Sequence, residues 1–148
     1  MSKTVLLTAI LLLVTSPFTL AEQSRDFGDY TVHYNAFRTD TLTPSVAGLY
    51  NITRSKNRAL VNISVIKHDS ENSLIGNPVR ASITGTVKNL SEQLRDLNMK
   101  EISEKDAVYY IAETPINNEE VLKFSLNIKP EGTDTTYRLT FQQQFFTE

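Results

Sequence analysis

A chain of 148 residues with 40% hydrophobic and 22% charged side chains has the make-up of one globular domain, which excludes wholesale disorder and leaves no room for two sizeable cores. Its formal charge of −2 provides no electrostatic footprint for nucleic acid. The lack of cysteine excludes disulfide scaffolds, thiolate zinc sites, cysteine nucleophiles and export as a cysteine-anchored lipoprotein.

The N-terminus reads as a secretory signal. Lys3 supplies the positive start, residues 5–14 form an apolar run, and Thr15, Ser16 and Pro17 break it. Thr19 and Ala21 then place small residues where a signal peptidase reads. The run is shorter than the ~20 residues a spanning helix needs, and no longer apolar stretch follows, so no membrane span is expected in the mature chain. Taking residues 1–21 off the 148 leaves 127 for a single domain over 22–148, and the loss of Lys3 takes the charge from −2 to −3.

The remainder alternates with the period of two that marks half-buried strands. Residues 27–37 set Tyr30, Val32, Tyr34 and Ala36 against Thr31, His33 and Asn35. A short helix is expected after Thr43, with Pro44 at its first position and Val46, Leu49 and Tyr50 as its apolar residues. Residues 57–67 set Ala59, Val61, Ile63 and Val65 against Leu60, Asn62, Ser64 and Ile66. Residues 79–90 alternate most cleanly, with Arg80, Ser82, Thr84, Thr86 and Lys88 on the polar side.

Leu90, Leu94 and Leu97 have helical spacing and predict a second short helical turn. Residues 97–104 and 107–113 read as a hairpin about Lys105-Asp106. Residues 121–129 and 136–146 read as another about Glu131-Gly132-Thr133-Asp134. Pro78, Pro115 and Pro130 fall at strand ends, where a missing N–H costs least. About seven strands with such turn spacing predict an all-β fold, an antiparallel two-sheet sandwich of immunoglobulin-like type, with a small barrel as the alternative.

Catalytic chemistry is thin. His33, His68 and Met99 are the only soft or borderline metal ligands after the signal, and no close spacing joins them, so neither a metal site nor a cofactor is expected. Asp69, Glu71 and Asn72 lack the spacing of a calcium loop. His68-Asp69-Ser70 is contiguous in sequence, which is not how a triad assembles. The five glycines, scattered singly, build no phosphate loop. No catalytic residue is assigned, and an enzyme is not expected.

Recognition residues are better represented. Arg54, Lys56 and Arg58 crowd three cations into five residues, and in an extended chain they would share one face, suited to a carboxylate or phosphate or to guarding an edge strand. In Tyr109-Tyr110 one ring must point to the core and the other outward. The expected contact residues are therefore Arg54, Lys56, Arg58 and one of Tyr109 or Tyr110, with His33 as a further candidate.

These segments carry a resemblance. Phe27-Gly28-Asp29-Tyr30 through His33-Tyr34-Asn35-Ala36-Phe37, the block Arg54-Ser55-Lys56-Asn57-Arg58 with the strand after it, and Tyr109-Tyr110-Ile111-Ala112-Glu113 resemble a family of small exported Gammaproteobacterial proteins catalogued as domain of unknown function 4426. The resemblance implies a periplasmic location and a single β-rich domain, and it brings no activity, cofactor or catalytic residue. The expected role is a non-enzymatic binding or accessory module whose partner is another envelope protein or an anionic envelope component. A small-ligand or metal carrier is the alternative.

Overall fold

The structure, a computed structural model, describes residues 23–69 and 76–148. The expected signal peptide, Glu71 and Asn72 lie outside the described residues. The described chain forms β1 (Gln23–Asp26), β2 (Tyr30–Arg38), a 3-10 turn (Thr39–Thr41), α1 (Pro44–Leu49), β3 (Arg58–Lys67), β4 (Asn77–Pro78) and β5 (Ala81–Asn89). It continues with β6 (Leu94–Leu97), β7 (Lys100–Glu104), β8 (Ala107–Pro115), β9 (Glu120–Pro130) and β10 (Tyr137–Phe145). All pairings are antiparallel. One sheet runs β1-β2-β3-β8-β7, with β4 against the end of β3, and the other runs β10-β9-β5-β6.

The architecture is the expected open two-sheet sandwich, built from ten strands and not seven. Seven of them, β2, β3, β5, β7, β8, β9 and β10, answer to the seven segments read from the sequence, with β7 starting at Lys100 and not at residue 97. The three additions, β1, β4 and β6, are two to four residues long, too short for a period of two to register. Strand β6 also corrects the expected helical turn at Leu90 to Leu97. Leu94 to Leu97 pairs in register with Gly85 to Lys88, so the hydrogen bonds of the neighbouring strand override the local spacing. Leu90 and Leu94 are left exposed and only Leu97 is buried.

The core lies between the sheets, where Val32, Val61, Ile63 and Val65 of one meet Leu122, Phe124, Leu126, Ile128 and Leu139 of the other, all fully buried. Phe141 ties the layers together, with its ring 4.6 Å from Tyr34 and 4.8 Å from Phe124. At Gly85 in β5 a side chain would meet Leu126 Cδ2 at 2.2 Å. The bare backbone leaves room for that fully buried leucine to lie across β5 in the core.

A second, smaller core sits on the outer side of the six-stranded sheet. The chain leaving β2 crosses that face and returns to begin β3. Ala47 and Ile52 of this crossover bury Leu60 of β3 and Ile111 of β8, flanked by Phe37, Leu42, Tyr50 and Ile102. Helix α1 begins as expected, with Thr43 Oγ1 accepting from the Val46 N–H and Pro44 at the first turn. Its buried residue is Ala47, however, so Val46 and Leu49 face outward.

Candidate functional site

The outer face of the six-stranded sheet gathers most of the residues singled out from the sequence. Strand register puts Thr31, His33 and Asn35 of β2 beside Ile66, Ser64 and Asn62 of β3. Beyond β3, Tyr109 of β8 lies opposite Ile102 of β7. Of the tyrosine pair, Tyr110 is the core ring and Tyr109 the outward one, 36% exposed, as alternation requires. His33 and Tyr109 thus share one face, separated by the width of β3.

The crossover forms a flap over the other end of this face, and polar groups hold it down. Buried Thr39 donates its hydroxyl to the Thr53 carbonyl at 2.8 Å and accepts from the Ser55 N–H at 2.9 Å. Arg38 clamps Asp40 through two 3.0 Å bonds and donates a third to the Phe146 carbonyl at 2.6 Å. Tyr50 donates its hydroxyl to Glu104, and that bond is the main reason its pKa lies above the ordinary phenol value. Lys100 donates to the Tyr50 carbonyl at 3.3 Å.

The cationic block is not extended, which corrects the expectation of one shared face. Residues 52–57 are loop and turn, because the crossover must fold back to reach the start of β3. Arg54 donates Nε to the Leu42 carbonyl at 2.7 Å and Nη2 to the Asp40 carbonyl at 3.1 Å. Its guanidinium is thereby committed to the flap's own backbone. Lys56 stands exposed in the turn. Arg58 starts β3 and lies 3.7 Å from Glu113.

Beneath and beside the flap is a polar strip. Asn35 and Asn62 sit directly across from each other, and the side-chain oxygen of each is buried without a hydrogen-bond partner in the protein. His68 shares a 2.5 Å hydrogen bond with Thr31 Oγ1, so both histidines belong to this side of the sheet. Met99 does not join them, since it packs against the core between the sheets. Among the described residues no three His, Cys, Asp or Glu side chains assemble as a metal-binding group, and no helix is long and apolar enough to cross a membrane.

Sequence reading missed two further features. Val46 and Leu49, named from the sequence only as apolar residues of the short helix, face outward and are 40% and 74% exposed. The pairing of Lys88 with Lys123, and the presence of Arg138 on the same outer face two rows away, depend on strand order, which alternation does not encode.

Comparison with known proteins bears on the fold and the family. A DUF4426 family protein from Pseudomonas aeruginosa superposes with a TM-score of 0.72 at 32% identity, covering 84% of this chain and 94% of that one. FetP from uropathogenic Escherichia coli, expressed recombinantly in the periplasm, matches with a TM-score of 0.58 at 9% identity over 85% and 94% of the two chains. A copper-bound variant of Campylobacter jejuni P19 matches with a TM-score of 0.57 at 7% identity over 84% and 94%. At such identities the last two share the fold alone. No curated protein matches the chain. The family model described as Domain of unknown function (DUF4426) spans residues 24–148, and the chain belongs to that family.

Proposed function

We propose that this protein is a periplasmic, non-enzymatic binding module that docks another envelope protein through the flap side of its six-stranded sheet. One observation carries the reading: Leu49 is 74% exposed on a helix whose neighbours are otherwise engaged, and Val46 and Tyr109 are exposed on the same side. Apolar and aromatic groups displayed on a polar-rimmed, well-braced surface are what partner-binding patches present. His33 and Arg58 supply a polar rim. Arg54 drops out of the contact set because its donors serve the Leu42 and Asp40 carbonyls. Tyr110 drops out because it is buried.

The test is photo-crosslinking in living cells, with a crosslinking amino acid placed in turn at positions 49, 109 and 127. One envelope protein captured from 49 and 109, absent from 127, and lost in a Leu49→Asp variant of unchanged melting temperature is the expected result. Capture without preference among the three positions, or none at all, overturns the reading.

A second reading, a copper or small-ligand carrier, has one observation in its favour. His33 and His68 flank Thr31 on one side of the sheet, and copper is named for the structurally similar P19 variant. Stoichiometric copper binding lost in both His33→Ala and His68→Ala would promote it. A flat titration removes it.

A further inference from the structure

The opposite face of the sandwich, the outer side of β10-β9-β5-β6, has a different chemistry. Register aligns Thr140, Ser125 and Thr86 in a row across β10, β9 and β5, ending at Asp96 of β6. The adjacent row holds Arg138, Asn127 and Thr84, and the row on the other side places Lys123 directly against Lys88. Two adjoining depressions of about 260 and 300 Å³ lie over these rows and share Thr86, Ser125 and Arg138 in their walls. The trough walls are hydroxyl, amide and charged groups, with Leu94 the single large apolar side chain among them.

The charges are arranged against self-interest. Like charges directly opposite on neighbouring strands repel, and Lys88 and Lys123 are so placed. Lys88 is relieved by Glu92 at 2.6 Å. Lys123 and Arg138 each stand exposed and make no hydrogen bond or ion pair with the described residues. Three cations against the single carboxylate of Asp96 line this trough, in a chain whose overall charge is −2.

We propose that this trough binds an acidic polysaccharide, a polyhydroxylated chain carrying carboxylates. Arg138 takes a carboxylate in bidentate fashion, and Lys123, on the far side of the Ser125 row, takes a second one further along the chain as a point charge. The Thr140-Ser125-Thr86 row, whose members are ~5 Å apart across strands, exchanges hydrogen bonds with ring hydroxyls. Asp96 at its end accepts from another. A nucleic acid strand is disfavoured because the trough has no aromatic platform. A protein partner is disfavoured because the face has no apolar anchor at its centre. The inference stands apart from the flap-side docking surface and does not depend on it.

The experiment is calorimetric titration of residues 22–148 with oligogalacturonate, with its fully methyl-esterified form (the same hydroxyls without the charge) and with poly-glutamate. Saturable binding of oligogalacturonate alone is expected, weakening with added salt. A Lys123→Gln/Arg138→Gln double variant should reduce it by about tenfold or more, and Leu49→Asp on the far side should leave it unchanged. Melting temperatures verify that the variants fold, and the single variants Lys123→Gln and Arg138→Gln carry the test if the double one does not. Equal binding of the esterified form shows that charge is not read, and equal binding of poly-glutamate assigns the trough to acidic peptide. Either result overturns the proposal, as does undiminished binding by the variants or no saturable binding.

Discussion

The two outer faces of this sandwich are built from strands of the same alternation, yet one is roofed and the other is open. On the six-stranded sheet the alternating outward positions include Phe37, Leu60, Ile102 and Ile111, which need cover, and the crossover supplies it. On the four-stranded sheet the outward positions of β5 and β9, apart from Val121 at the start of β9, are Ser, Thr, Asn and Lys, and water suffices. The outward half of each strand, not the core half, therefore decides where the chain must cross over. It also decides what kind of partner each face suits, apolar and aromatic on one side, charged and hydroxylated on the other.

Tyr110 joins the two layers beneath that contrast, and its removal should have the largest effect. Its buried hydroxyl donates to Glu101 Oε2 at 3.0 Å and accepts from the Ala81 N–H at 2.7 Å, where β5 begins. Tyr110→Phe is expected to cost about 1–3 kcal/mol in chemical denaturation, because both partners lose their bond. Burial, then the hydrogen bond to Glu101, hold its pKa above 10.0. A phenol whose folded pKa is raised contributes stability that is fully present below its unfolded value and is lost as pH rises through the folded one. An alkaline loss of stability above about pH 10 in the native protein, reduced in Tyr110→Phe, is the expected pH profile.

Next in size is the flap. Arg54→Ala releases the Leu42 and Asp40 carbonyls and should cost about 1–2 kcal/mol. Hydrogen exchange should rise across residues 42–52 while β5 and β9 stay protected. If β5 and β9 loosen equally, the roof is not a separable unit and the contrast between the faces fails. The smallest effect belongs to the open face. Lys123→Ala should leave stability unchanged or raise it by a few tenths of a kcal/mol, because it removes the repulsion with Lys88. A loss of more than about 1 kcal/mol would mean that Lys123 serves the fold.

What could be read in advance follows from the range of each interaction. The seven long strands, their inward faces and the split of Tyr109 from Tyr110 depend only on a residue and its neighbours two places away. The start of α1 at Thr43 and Pro44 was equally local. Strand β6 was misread because Leu90, Leu94 and Leu97 keep helical spacing while the register with β5 governs. The Arg54, Lys56 and Arg58 block was misread for a related reason. Its geometry is set by the return of the crossover to β3, and Arg54's partners lie 12 and 14 positions earlier in the chain. The trough on the far sheet was half legible, since Lys88 fell on the polar side of its strand, but its adjacency to Lys123 is a property of strand order.

The position of β3 has a kinetic consequence. Ile63 pairs with Tyr34 on one side and with Tyr110 on the other, so the strand at the middle of the larger sheet has one early neighbour and one late one. Until β8 arrives, a row of Val and Ile backbone groups lies open along one margin. The chain between the two strands supplies β5 and β6 of the second sheet, so closing that margin joins partners remote in sequence. Pairings so remote in sequence place such a chain among folders that need roughly milliseconds to seconds rather than microseconds. During that interval the half-made sheet is the species most exposed to association with its own copies.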